Sequence, residues 1–209
     1  MRKTILAFFA FILVLFPNDS FAENFTSPAD AVVGEFDLIC LGYLSEKPEA
    51  RRALRVDALE TLTSKELTPN EAKAFFDTKS ARVWNYQYAS AAHKVSTNYM
   101  VALTDDNACS VIAPNLSSKA VKAQFLEKMK SSEGHYLINL LRSEKKGTQT
   151  KELYKLDYPA LAGGRYNYDT AYVEIITSTK SSEGITLTVI PKADFLTNDD
   201  NKISKHRYN

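Results

Sequence analysis

Cys40 and Cys109 are the only two cysteines in the 209-residue chain, and their local contexts constrain its fold more than any other feature. Val32, Phe36, Ile39, Cys40 and Tyr43 recur at helical spacing, which sets Cys40 on the apolar stripe of an amphipathic helix turned toward a core. Cys109 opens the short apolar run Cys109-Ser110-Val111-Ile112-Ala113, directly after the turn-like Asp105-Asp106-Asn107. A bond between the two would staple a leading helix to a central strand. Three roles are open to these thiols, as a disulfide, as metal ligands or as a nucleophile at Cys109, and the compartment weighs between them.

The first residues point to export. Arg2 and Lys3 precede an apolar run from Thr4 to Phe16, which Pro17 breaks before the stretch Ser20-Phe21-Ala22. This is the layout of a secretory signal peptide over residues 1–22, cleaved between Ala22 and Glu23. As a helix the run rises only about 20 Å, short of the roughly 30 Å hydrocarbon core that a membrane anchor must cross. With no cysteine near the cleavage point, a lipoprotein anchor is not expected. The full chain carries 26 Lys and Arg against 25 Asp and Glu, and loss of Arg2, Lys3 and Asp19 with the leader brings the balance to zero. A nucleic-acid partner is therefore not indicated, and no stable membrane insertion is expected after cleavage. The remaining chain has the length of one domain, 23–197, followed by a polar tail, 198–209, that lacks an apolar period and is expected to be flexible.

In an oxidising compartment, thiols pair unless something prevents it. Neither Cys-x-x-Cys nor His-x-x-x-His spacing accompanies the two cysteines, so no metal site is expected. A nucleophilic Cys109 would need a histidine, with His93 and His135 as the candidates. The disulfide is the favoured reading, and closing a loop of about 70 residues is worth roughly 4 kcal/mol.

Hydrophobic period divides the chain. Ser27 as N-cap, Pro28 at the first helical position and Asp30 in the first turn predict a helix over 28–44. Pro48 opens a second helix with Ala50, Leu54, Ala58 and Leu62 on one face and Arg51, Arg52 and Arg55 away from it, read as a solvated face with a docking patch as the alternative. Thr68-Pro69 with Glu71 starts a third helix, ending near Asp77. The period then becomes two. Trp84, Tyr86 and Tyr88 alternate with Val83, Asn85 and Gln87, and residues 98–104 and 109–113 read as two further strands. Val121, Phe125 and Met129, with Ser117 as cap, predict a helix laid on the sheet. Two hairpins follow, one turning at Lys146-Gly147 and one around 180–184, separated by a loop at 159–169 that contains Gly163-Gly164. The fold class is thus α+β: N-terminal helices followed by an antiparallel sheet of about six or seven strands with one inserted helix.

No phosphate loop, Gly-x-Ser-x-Gly elbow or His-Glu-x-x-His helix is present in the sequence. Glu46 and Glu49 are better read as solvated surface acids than as a catalytic pair. No catalytic residue and no cofactor are assigned. Trp84 on its strand and Tyr166 and Tyr168 in the glycine-containing loop are candidate partner contacts, since flat rings suit a glycan or a protein surface. For Trp84, Tyr86 and Tyr88 the competing reading is packing beneath the helices. Asn24 and Asn115 match the glycosylation acceptor pattern, which matters only in a eukaryotic secretory pathway.

The leading helix with Cys40, the block from Glu49 to Phe76, the strand Val83 to Tyr88, the Cys109 strand and the closing stretch Val173 to Ile190 together resemble a family of small, functionally uncharacterised exported proteins and lipoproteins of proteobacteria. The likeness spans residues 30–191, with Lys79 and Arg82 standing where that family has small residues. It implies a periplasmic or envelope location and a Cys40–Cys109 pair, and it carries over no catalytic residue. The functional expectation is a non-enzymatic binding or inhibitory protein of immunity type, periplasmic or secreted through Sec-type export, with another envelope or secreted protein as partner. The alternatives are a cell-envelope or peptidoglycan hydrolase with an unfamiliar site and a structural envelope component.

Overall fold

A computed structural model of the chain describes residues 25–44, 46–61, 64–72, 81–90, 93–105, 107–130, 136–162, 165–179 and 184–190. The expected leader, its cleavage point at Ala22 and Glu23 and the polar tail lie outside these residues.

Helix α1 (Pro28–Glu35) begins as its sequence requires. Ser27 Oγ accepts from the Asp30 amide at 3.1 Å, Pro28 occupies the first turn, and the Asp30 carboxylate accepts from the Thr26 amide at 2.9 Å. The expected single helix to residue 44 is corrected: α1 passes into a π-helical stretch, Phe36–Leu41, closed by the Gly42 amide donating to Asp37 O at 2.7 Å. The wider turn keeps Phe36, Ile39, Cys40 and Leu41 all buried, more apolar side chains than one face of an α-helix presents in six residues.

Helix α2 (Pro48–Thr61) follows. Here the solvated-arginine reading fails for Arg55, which is 1 % exposed. Its guanidinium donates to Ile39 O at 3.1 Å, to Cys40 O and to Asn107 O at 3.2 Å. Arg51 donates to the carbonyls of Tyr43, Leu44 and Glu46 at 3.1, 2.7 and 2.9 Å. A helix end leaves its last carbonyls without intrahelical donors, and two cations from α2 supply them, with the charge sign that the dipole favours.

The remaining elements are β1 (Lys65–Glu66), α3 (Pro69–Ala72), β2 (Ala81–Ser90), β3 (Val95–Thr104), β4 (Cys109–Ala113), α4 (Ser118–Lys130), β5 (Leu137–Lys146), β6 (Gln149–Ala162), β7 (Arg165–Ser178) and β8 (Ile185–Ile190). Among the described residues the eight strands form one sheet in the order β1-β2-β3-β4-β8-β7-β6-β5, with every neighbouring pair antiparallel. The class is α+β, and the expected six or seven strands become eight because β1 pairs along β2. Two residues carry no period to read, and β1 exists through the edge that β2 offers it.

Helices α1 and α4 and the π-helical stretch pack on one face of the sheet. That face carries Trp84, Tyr86 and Tyr88 of β2, Tyr99 and Val101 of β3, Cys109 and Val111 of β4, and Leu187 of β8, which join Phe36, Val121, Phe125 and Met129 in the main core. All five residues of β4 are buried, the mark of a central strand covered on both faces. On the opposite face Ser110 and Thr188 meet hydroxyl to hydroxyl at 2.9 Å. A smaller cluster there joins Ala72, Val83, Met100, Ala102 and Ile112.

Of the segment expected as a loop at 159–169, residues 159–162 and 165–169 are instead ladder, and Gly163-Gly164 lie outside the described residues. Strands β6 and β7 pair continuously from Gln149↔Ser178 to Ala162↔Arg165, because a regular register begun in the core extends as long as both backbones remain free to pair. The two hairpin glycines differ in what surrounds them. Gly147 and Gly184 both have positive φ, 60° and 58°, but a Cβ on Gly147 meets nothing, whereas one on Gly184 would overlap Ala113 O and the Pro114 backbone. Gly147→Ala is expected to cost about 1 kcal/mol in urea unfolding, and Gly184→Ala about 3 kcal/mol. Removing the staple with Cys40→Ala and Cys109→Ala together is expected to cost about 4 kcal/mol. Arg55→Met, which strands buried carbonyls while keeping volume, is expected to cost about 3 kcal/mol.

Candidate functional site

Cys40 and Cys109 form a disulfide, with Cα atoms 5.4 Å apart and both residues fully buried. No cysteine is free, which overturns the nucleophile reading of Cys109, and His93 is exposed in the β2–β3 turn. His135 lies outside the described residues.

Trp84 is 1 % exposed, so the reading of its ring as a partner contact is corrected. The ring packs in the core, with the Arg82 guanidinium 4.7 Å from its centroid. Arg82 in turn donates to both Glu66 carboxylate oxygens at 2.8 Å and to Glu60 at 3.1 Å. It thereby joins α2, β1 and β2. Tyr166 and Tyr168 belong to β7, with backbones opposite Leu161 and Pro159 of β6; their side chains lie outside the described residues.

The feature the sequence did not announce is a cleft of about 480 Å³, lined by Leu67, Glu71, Asn85, Asn98, Met100 and Asn115 among others. Its geometry follows from strand register. Asn85 pairs with Met100 and Gln87 with Asn98, so Asn85 and Asn98 are diagonal neighbours on one face, roughly 7–8 Å apart. Asn115 joins them from the turn after β4. All three asparagines are exposed, and no side-chain hydrogen bond among the described residues engages their amides. Leu67, Met100 and Pro114 supply apolar surface between them. Glu71, the acidic residue of the lining, is committed elsewhere. Its carboxylate accepts from the Thr68 amide and hydroxyl, both at 2.8 Å, and these bonds hold its pKa below the usual carboxylate range. This is a capping box that starts α3. The only hint in the sequence was the polar alternation of Asn85 and Gln87 in an otherwise aromatic strand.

Beneath the helices, Glu35 is 5 % exposed and close enough to Tyr86 and Tyr99 to raise both phenols. The two rings stack with centroids 5.0 Å apart. Burial pushes Tyr86 up to about 12, with Glu35 adding to the shift. Tyr99 is pushed far higher for the same two reasons. The arrangement is closed, and it disfavours phenolate rather than poising a base. A second polar node anchors α4 to the sheet: Lys122 Nζ lies 2.5 Å from Glu152 Oε2, to which the Tyr154 hydroxyl donates at 3.4 Å. Among the described residues, no three His, Cys, Asp or Glu side chains gather as a metal-ligand set, and no helix is long and apolar enough to cross a membrane.

No family model, no curated protein and no solved structure matches the chain. The cleft and its amides therefore carry the functional argument by their own chemistry.

A phenol whose pKa is raised on folding stabilises the native state below the unfolded value near 10, and that contribution is lost as pH rises through the folded value. The urea midpoint is expected to show no loss from these phenols between about pH 7 and 9, then to fall steeply from about pH 10 to 12. Tyr86→Phe should make that fall shallower.

Proposed function

We propose that the chain is an exported, non-catalytic binding protein of the bacterial envelope, which holds a segment of another envelope or secreted protein in the cleft between α3, β1 and the sheet. The observation that carries this reading is the set of three exposed amides, Asn85, Asn98 and Asn115, that no side chain among the described residues engages, around apolar surface from Leu67, Met100 and Pro114. Each amide offers two donors and an acceptor without charge, which suits the alternating N–H and C=O groups of a peptide. The apolar floor suits one hydrophobic side chain of that peptide. Glu71, turned to its capping task, supplies no free acid for hydrolysis.

The signal-like leader and the Cys40–Cys109 disulfide agree with a periplasmic or secreted location. An inhibitory protein of immunity type is the form of binding protein that such a rigid, stapled domain suits best, because preorganisation reduces the ordering cost of association.

The test is a photo-crosslinking residue at position 98 in the native host, with position 127 on α4 as control. Position 98 is expected to trap one protein reproducibly and position 127 none. Asn85→Lys with Asn98→Lys should lower affinity for that protein at least about ten-fold, roughly 1.4 kcal/mol, with the thermal midpoint unchanged. A trapped peptidoglycan fragment that the protein turns over would instead identify an enzyme.

A further inference from the structure

Among the described residues, strand β5 is one edge of the sheet. Along it Leu137, Leu140 and Leu141 are 58, 52 and 47 % exposed. An edge strand presents unpaired N–H and C=O groups, and natural proteins usually blunt such an edge with charge, proline or a bulge. Here the blunting covers only half the strand. Arg142, Glu144, Lys145 and Lys146 occupy the far half, and a register shift lies between Leu140 and Arg142. The near half is apolar.

That near half matches itself. Leu137-Ile138-Asn139-Leu140-Leu141 reads apolar, apolar, Asn, apolar, apolar from either end. A two-fold axis brings the same patch of both copies together, so an isologous contact needs a self-complementary segment. With antiparallel pairing centred on Asn139, Leu137 falls opposite Leu141 of the second copy, Ile138 opposite Leu140, and Asn139 opposite its own counterpart. Ile138 and Leu140 lie on the helix-covered face, where they pair with Leu156 and Tyr154 of β6. Ile138 already packs against the main core. Pairing would therefore run the apolar layer of one copy into that of the other. Asn139 stands on the opposite face, and an amide is both donor and acceptor to another amide. Leu141 is itself the extra residue of the register shift, so the regular pairing runs over Ile138, Asn139 and Leu140, and the shift with the charges beyond it ends the match and fixes its register.

We infer that the protein forms a two-fold dimer through residues 137–141 of β5, joining two sheets edge to edge. An unrelated strand would need only apolar side chains to add here, and the match about Asn139 is what selects a second copy. The cleft is lined from β2, β3 and the turn after β4, toward the other end of the strand order, so the dimer leaves both clefts accessible and makes binding bivalent. The dimer stands independently of what the cleft binds.

Light scattering and sedimentation of the oxidised protein from about 1 to 500 μM, the range suited to a small interface, should show the mass doubling with concentration. Leu140→Lys should hold the protein monomeric with its thermal midpoint unchanged. Directly opposed strand residues lie about 4.5–5.5 Å apart, within disulfide reach. Asn139→Cys should therefore link two copies on air oxidation, while Ser143→Cys should not. A monomer throughout the concentration range, a dimer indifferent to Leu140→Lys, or an Asn139→Cys that links in the host to a different envelope protein would each overturn the inference.

Discussion

The carbonyl of Cys40 accepts from the buried guanidinium of Arg55, and the sulfur of the same residue is bonded to Cys109. Much of the tertiary arrangement meets at this point. Arg55 reaches Ile39 on one side and Asn107 on the other, so a single side chain of α2 holds both the end of the first helix and the turn that delivers Cys109 into β4. A buried charge is tolerated only where donors and acceptors balance. Three carbonyls provide that balance here, while burial pulls the guanidinium pKa down. The disulfide limits how far the unfolded chain can spread, and Arg55 specifies how the stapled pieces sit against one another.

The sheet distributes labour between its faces. The helix-covered face is apolar and aromatic, with edge-on contacts such as Phe36 against Phe125 and Phe25 against Tyr88. Among the described residues its buried polar groups include Arg55 on the stapled carbonyls, Thr97 of β3, Glu35 among tyrosines and the Lys122–Glu152–Tyr154 node. The other face alternates polar and apolar side chains, and α3 with Leu67 covers part of it. Where that cover meets the asparagines of β2 and β3, the molecule has a recess with hydrogen-bonding capacity to spare. A rigid sheet supplies the floor, so a ligand there need not order the site before binding.

Local signals were legible and remained true in three dimensions. Ser27, Pro28 and Asp30 start a helix because side-chain oxygens near the chain satisfy orphan amides. Val121, Phe125 and Met129 are the buried residues of α4, as a stripe of helical period requires. The β3–β4, β5–β6 and β7–β8 pairs are sequential antiparallel neighbours, the commonest solution for short connections. The misreadings have one origin. Arg55 looked solvated because Ala50, Leu54 and Ala58 set the apparent phase of α2, whereas Arg55 and Leu59 are its buried residues, and Arg55 is turned toward carbonyls that another helix brings to it. Tyr166 and Tyr168 looked like loop residues because glycine and proline mark irregular backbone, while a ladder seeded elsewhere continued through them.

Sequence alone determined the two cysteines and their local settings, the caps, the amphipathic stripe of α4 and the alternation of the strands, because each is fixed by residues within a few positions of one another. Tertiary structure decided that β4 lies beside β8, that β5 is left at the edge with its leucines exposed, and that Asn85, Asn98 and Asn115 share one recess. These depend on pairings between segments far apart in the chain. Their register is chosen by the packing of the whole core, and no local window of sequence contains that information.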